Sequence, residues 1–161
     1  MPSKYNVVSK YDVHNMWEPL KLFVRARREG LNANLTDNAG SIHSVERILD
    51  IWSMRIVYPF TSTRQGYKKH KDATCSEKAY LAKKNNESVH CEHVEPLREY
   101  SQNICELIEN NASKESVMKY VKKHFRLVLI TKEEQKKLDK QNRVKIDDYR
   151  LEKAGIKIHN E

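Results

Sequence analysis

Residues 44–57 have the sequence SVERILDIWSMRIV and predict the helix around which the rest of the chain folds. The apolar side chains that cover much of its circumference are Val45, Ile48, Leu49, Ile51, Trp52 and Ile56. A helix that is apolar on most of its sides is normally buried in the core. We therefore predict a central helix from Ser44 to Val57, which Pro59 ends because proline cannot continue a helix.

Helical spacing of apolar residues predicts further helices on both sides of this one. A first helix begins at Trp17 or Glu18, stops at Gly30, and is followed by a loop over residues 31–41. Capping boxes, in which a Ser or Thr is followed three residues later by Glu, open helices at Thr74 and Thr131. The other predicted helices cover residues 97–110, a stretch that starts at Ser113, and residues 147–153.

The predicted β content is small. Residues 126–130, Arg-Leu-Val-Leu-Ile, form the clearest strand, and residues 88–91 a second short one. Residues 156–158, after Gly155, are a candidate edge strand. The sequence therefore predicts an α+β fold: a mostly helical single domain with a minimal β element.

Net charge favours nucleic acid as the partner. The 161 residues fit one domain and include 30 Lys and Arg against 22 Asp and Glu, so the net charge is +8. Such a balance attracts polyanions. No apolar run approaches the roughly 18 residues of a membrane span, and the first residues lack the apolar stretch of a signal peptide. We expect a cytoplasmic protein, from a bacterium or its phage or from a cytosol generally, without a membrane partner.

The three cysteines, Cys75, Cys91 and Cys105, are odd in number and contain no C-x-x-C pair. A disulfide framework or a four-cysteine zinc site is therefore not expected. Buried small apolar residues are the favoured interpretation.

Two basic stretches are candidates for contacts with phosphates. Residues 60–73 are predicted to form an exposed basic loop, and residues 119–145 contain ten Lys or Arg against three acids. A run of charge is often only a solvated face, but two runs that flank one candidate site favour a surface that follows a nucleic-acid backbone. The predicted contact residues are Arg64, Lys68, Lys69, Lys71, Lys122, Lys123 and Arg126.

Chemistry is concentrated in residues 89–97, which have the sequence VHCEHVEPL. Cleavage of a phosphodiester needs a water deprotonated near neutral pH, and the histidine pKa of about 6.5 suits a base for that task. It also needs a hard cation on the phosphate, which carboxylate oxygens hold best. Glu92 and His93, adjacent in one predicted tight turn, fit these two needs. The plainer alternative is a helix start with a surface histidine.

The same residues resemble the central motif of the HNH, or ββα-metal, endonucleases: a strand, an acid, His, an aliphatic residue, any residue, and Pro. The resemblance implies that His93 is the general base, that Glu92 ligates Mg²⁺ or Mn²⁺, and that Pro96 fixes the turn. His90 and His70 are candidates to complete the metal site.

A broader similarity to bacterial and phage proteins with a Glu-His-x-x-Pro core covers residues 67–158. It includes Leu127–Ile130, Thr131–Glu134, and Tyr149-Arg150 followed by Gly155-Ile156. The usual later Asn and His of the HNH family are absent. On this basis residues 1–60 form a helical N-terminal part of the domain and residues 61–161 its HNH-like part.

The expected function is metal-dependent hydrolysis of DNA phosphodiesters by an endonuclease. One alternative is a nucleic-acid-binding protein that does not cleave. Another is a phage-type interaction or inhibitor factor in which the site is vestigial. The first alternative keeps a salt-dependent affinity for DNA, and the second replaces that affinity by a protein partner.

Overall fold

The computed structural model of the chain describes residues 12–36, 41–61, 63–144 and 149–159. The structure over these ranges is mostly helical, with a small antiparallel sheet. Its elements, in chain order, are α1 (Trp17–Asn32), α2 (Ile42–Val57), α3 (Arg64–Lys69), α4 (Glu77–Lys84), β1 (His90–His93), α5 (Leu97–Glu109), α6 (Lys114–His124), β2 (Leu127–Ile130), α7 (Lys132–Val144) and α8 (Arg150–Lys153). The predicted fold class, α+β with a minimal β element, is confirmed.

Helix α2 is the centre of the main core, as its sequence predicts. It packs against α1, α5 and α6. Leu49 and Trp52 are fully buried. The indole nitrogen of Trp52 donates a hydrogen bond of 2.9 Å to the backbone oxygen of Val13, so its one polar atom is satisfied inside the core.

The two strands pair in an antiparallel register that joins His90 to Ile130 and His93 to Leu127. All four residues of β2 are buried. Both faces of this strand are covered, because Leu127 and Leu129 belong to the main core while Val128 and Ile130 belong to a second cluster. This explains why β2 is a continuous apolar run instead of an alternating one.

The second cluster closes the sheet from the side opposite α2. Leu138 of α7 and Ile156 complete it. Arg150 at the start of α8 joins it to β1 and is 2% exposed. Its guanidinium donates to the backbone oxygens of Val94 and His93, and lies 3.2 Å from a carboxylate oxygen of Glu92.

Several predicted boundaries differ from the structure. The predicted loop over residues 60–73 contains α3. The Thr63 side chain caps this helix by accepting a hydrogen bond from Gly66 N, and Tyr67 is buried. The second strand covers residues 90–93 and not 88–91. Helix α4 is capped by Ser76 instead of Thr74.

Other local predictions are confirmed. In the predicted capping box, Thr131 N donates to Glu134 Oε2 at 2.9 Å and Glu134 N donates to Thr131 Oγ1 at 3.2 Å. All three cysteines are buried and free.

The predictions for the C-terminal part are met only in part. The edge strand predicted at residues 156–158 is a single bridge between Ser76 and Ile158. Of the helix predicted over 147–153, residues 147 and 148 lie outside the described residues.

Replacement of Arg150 by alanine is expected to lower the free energy of unfolding by about 3 kcal/mol, the scale for removing one partner of a buried ion pair. The reason is that two carbonyl oxygens and the Glu92 carboxylate lose a donor together. Urea unfolding measures the change. The control is Lys140→Ala on α7, an exposed change expected to stay within about 0.5 kcal/mol. Equal stability of the Arg150 and Lys140 variants would contradict the role assigned to Arg150.

Candidate functional site

Alternation along β1 separates the two residues that the sequence motif places side by side. His90 and Glu92 face the side of Arg150, whereas Cys91 and His93 face the main core. Glu92 and His93 are therefore consecutive residues of a strand with opposite orientations. The prediction that Glu92 and His93 lie in one tight turn is wrong, because both belong to β1.

His93 instead meets a carboxylate from the central helix. Its Nε2 lies 2.7 Å from Oδ1 of Asp50, a residue of α2. The other carboxylate oxygen of Asp50, Oδ2, accepts a hydrogen bond of 2.6 Å from Nη2 of Arg64 at the start of α3. The three side chains thus come from three different elements and meet at one carboxylate.

This arrangement determines the electrostatics of the pair. Burial acts to raise the pKa of Asp50, but the hydrogen bond from His93 and the nearby guanidinium of Arg64 oppose it, and the pKa lies below its ordinary value. The ionised carboxylate then receives the hydrogen of His93 Nε2. With Nε2 engaged, Nδ1 is the ring nitrogen left to accept a proton.

The residues around His93 hold its ring in place. Phe125 contacts the ring edge-on, with centroids 5.7 Å apart. Two tyrosines fix Leu127, the strand partner of His93: Tyr67 donates to its oxygen at 3.0 Å and Tyr58 accepts from its nitrogen at 3.0 Å. Only 8% of the surface of His93 is exposed. The imidazole is therefore held in one orientation by packing as well as by Asp50.

A cavity of about 420 Å³ opens beside Asp50, on the side of the carboxylate that Arg64 contacts; its lining does not include His93. Asp50 and Arg64 form part of its wall, and the guanidinium side chains of Arg47 and Arg55 line it too. The remaining lining residues are Ile51, Met54, Thr63 and Gln65. Three arginines against one carboxylate make the cavity attractive to an anion, and guanidinium is well suited to phosphate oxygens.

Asp50 was not among the residues predicted from the sequence, although a signal for it exists. It stands between Leu49 and Ile51 in the most apolar helix of the chain. A carboxylate at a buried helix position needs a cation or hydrogen-bond donors, because burial of an unpaired charge is costly. The sequence does not say which of the many Arg, Lys and His residues supplies them.

The residues predicted to bind a metal fall in two places. His90 Nε2 lies 3.3 Å from Glu92 Oε2, so these two are neighbours as strand alternation predicts. His70 is at the end of α3, where its ring stacks on Phe60 with centroids 3.9 Å apart and accepts a hydrogen bond from Asp72 N. The contacts found for His70 do not include Glu92 or His90.

His90, Glu92 and His70 do not lie together as the ligands of one metal ion. Within the described ranges no group of three or more His, Cys, Asp or Glu is placed to hold a metal ion. Glu92 and His90 offer two donors, and the Arg150 guanidinium already lies 3.2 Å from one oxygen of Glu92.

The two basic stretches meet near the start of β2. Helix α3 carries Arg64, Lys68 and Lys69, and its Tyr67 is bonded to the Leu127 oxygen. Arg126 directly precedes Leu127 and is exposed. Its guanidinium donates to the backbone oxygens of Lys122 and Phe125, so it also caps the end of α6.

Other predicted contact residues are also accessible. Lys69 and Lys71 are exposed at the end of α3 and just after it, and Lys122 and Lys123 are exposed on the last turn of α6. Lys68 is half-buried. The hydrogen bond between Tyr67 and Leu127 therefore joins two basic stretches that are about sixty positions apart in the sequence.

Comparisons with protein-family models, with curated proteins and with solved structures find no significant match to this chain. No helix within the described ranges is long and apolar enough to cross a membrane.

Proposed function

We propose that the protein hydrolyses phosphodiester bonds of nucleic acid, with DNA as the favoured substrate. The observation that carries the proposal is the bond of 2.7 Å between His93 Nε2 and Asp50, whose side chain lines a cavity together with three arginines. A histidine oriented by a carboxylate is a common general base, because the carboxylate fixes the ring and stabilises the imidazolium that forms.

The roles of the residues follow from their positions. A phosphate of the substrate enters the cavity beside Asp50, where the guanidinium groups of Arg64 and Arg47 balance its charge. As the water oxygen bonds to phosphorus, Nδ1 of His93 takes the proton of the water and Asp50 holds the resulting imidazolium. The P–O bond to one sugar oxygen breaks, and that oxygen takes up a proton from solvent. Lys122, Lys123 and Arg126 bind neighbouring phosphates of the strand and set its position.

Mg²⁺ or Mn²⁺ is the cofactor that the HNH resemblance implies, and such an ion would supply positive charge to the phosphate. Mg²⁺ is often held by one or two carboxylates together with substrate phosphates. Glu92, the carboxylate expected to bind it, lies on the other face of β1 from His93. No step of the proposal passes through the ion, and assays with Mg²⁺, Mn²⁺ and EDTA determine whether the reaction needs one.

A second candidate is nucleic-acid binding without cleavage. Its specific support is that His93 is 8% exposed, whereas Lys122, Lys123 and Arg126 are all exposed. Under this proposal the Asp50–His93 bond serves stability alone. Protein that binds DNA or RNA but cuts neither with any divalent metal supports this candidate, and protein that does neither supports the role of an interaction factor.

The first expected outcome concerns the base. His93→Ala is expected to lower the rate of plasmid nicking on the order of a hundredfold or more, the scale of positioned acid–base catalysis. DNA affinity should stay nearly unchanged, because a neutral imidazole adds little to the attraction of phosphate. His43→Ala, on the exposed side of α2, is the matched control and should nick like the wild type. A folded His93→Ala protein with wild-type nicking would rule out His93 as the base.

The second expected outcome concerns acid stability and does not depend on activity. The folded pKa of Asp50 lies below its ordinary value, so the stability that this group contributes is complete above about pH 4 and is lost as the pH falls through the folded pKa. Asp50→Asn removes the titrating group. The variant should therefore lose stability less steeply on acidification, by up to about 1.4 kcal/mol per pH unit.

Urea midpoints measured over a series of acidic pH values test this expectation. Asp72→Asn is the control, since Asp72 is an aspartate whose side chain is 70% exposed, and it should keep the wild-type dependence. Equal slopes for Asp50→Asn and wild type would show that the Asp50 carboxylate is not held ionised by its partners.

The third expected outcome concerns the basic surface. Reversal of Lys122 and Lys123 to Glu is expected to weaken DNA binding at least tenfold for all sequences alike, since phosphate contacts carry no sequence information. The slope of log K against log salt should fall by about 0.9 for each phosphate that the variant no longer binds.

Titrations between about 50 and 200 mM salt measure this slope. The control double variant, Lys136→Glu with Lys140→Glu, makes the same change of net charge on exposed positions of α7. If both double variants bind equally, the end of α6 is a solvated face and not a contact surface.

A further inference from the structure

A second cavity, of about 800 Å³, lies between the end of α3, the segment after it, α4 and His159. It shares no lining residue with the arginine cavity beside Asp50. Four lysines line it, namely Lys69, Lys71, Lys83 and Lys84, against the single acid Asp72. The cavity is therefore strongly positive.

The cationic groups of this cavity are largely available to a ligand. Lys83 Nζ donates to the backbone oxygen of His70 at 3.0 Å. For Lys69, Lys71 and Lys84, no ion pair is found with any acid of the described ranges. The Asp72 carboxylate is 70% exposed and lies 3.9 Å from Nδ1 of His70.

One wall of the cavity is aromatic. Tyr80 and His159 stack in parallel, with ring centroids 3.9 Å apart and an angle of 11° between their planes. Backbone pairing fixes His159, because its nitrogen donates to the Cys75 oxygen at 2.8 Å and Ile158 forms a bridge with Ser76. Lys84 Nζ lies 4.5 Å from the centroid of the Tyr80 ring.

We propose that this cavity binds a nucleoside phosphate, whose base extends the Tyr80–His159 stack and whose phosphate is bound by Lys71 and Lys84. Flat aromatic surface next to lysines is the combination by which proteins bind single nucleotides of a strand. Inorganic phosphate alone uses only the lysines, and a nucleoside alone only the aromatic pair. The proposal concerns binding and does not require cleavage at His93.

Calorimetric titration of the full chain with AMP, adenosine and inorganic phosphate, in EDTA, tests the combination. AMP is expected to bind at least about tenfold more tightly than either part, because only AMP contacts the aromatic pair and the lysines together. NMR should show the largest AMP-induced shifts on the rings of Tyr80 and His159. Binding of AMP no tighter than of adenosine and phosphate overturns the proposal.

Variants separate the two halves of the site. The double variant Lys71→Glu with Lys84→Glu is expected to lower the affinity for AMP at least tenfold and to change the affinity for adenosine little. His159→Ala should lower the affinities for AMP and for adenosine several-fold and leave the affinity for phosphate unchanged. The control, Lys136→Glu with Lys140→Glu, changes net charge equally outside the cavity and should bind AMP like the wild type. If the Lys71/Lys84 variant and this control bind AMP with equal affinity, the proposal is overturned.

A last arm identifies the source of the nucleotide and keeps binding separate from cleavage. The His93→Ala protein is titrated with AMP and with a labelled octadeoxyadenylate. Tighter binding of the oligonucleotide, abolished in the Lys71/Lys84 variant, identifies a strand as the ligand, and equal affinities identify a free mononucleotide. Wild-type protein that binds AMP but cuts no nucleic acid leaves this site standing and removes only the proposed hydrolysis.

Discussion

The buried carboxylate of Asp50 is the constraint on which the arrangement of the site depends. A charge inside the most apolar helix is tolerated only if donors satisfy it, because desolvation of an unpaired carboxylate costs several kcal/mol. His93 of β1 satisfies one oxygen and Arg64 of α3 the other. A short strand and a six-residue helix, neither of which has much stability of its own, are thereby fixed to α2.

The orientation of β1 follows from that bond. Since His93 must face α2, strand alternation turns Glu92 to the opposite face. There Glu92 needs a cation of its own, which Arg150 supplies from α8. Each face of the strand thus contacts a carboxylate that has an arginine partner, and the C-terminal part of the chain is joined to the same strand that holds the candidate base.

Local patterns were enough to predict much of this fold. The periodicity of α2, the apolar run of β2 and the capping box of Thr131 and Glu134 are properties of neighbouring residues, and the structure has all three. Helix α3 was missed because four of its six residues are polar or charged. The helix is stabilised by a tertiary contact: Tyr67 is buried and its hydroxyl donates a hydrogen bond to the backbone oxygen of Leu127.

The candidate site was only half predictable for the same reason. His93 belongs to a short motif that can be recognised in one segment, so the sequence identified it. Asp50 and Arg64 join it from 43 and 29 positions away, through contacts that no local pattern encodes. The pairing of Glu92 and His93 was predicted from adjacency, and adjacency in a strand gives opposite faces instead of a shared one.

Helix α3 relates the two proposed sites to each other. Arg64 at its start lines the arginine cavity, and Lys69 at its end lines the lysine cavity. At about 1.5 Å per residue these two positions are roughly 8 Å apart along the helix axis, a distance that two or three nucleotides of a stacked strand cover. The two cavities are thus joined through one short helix. Asp50 and His93 are buried, whereas Lys71 and Lys84 are at the surface, so a change to the first pair is expected to affect the stability of the fold. The lysines can change affinity while the fold stays intact.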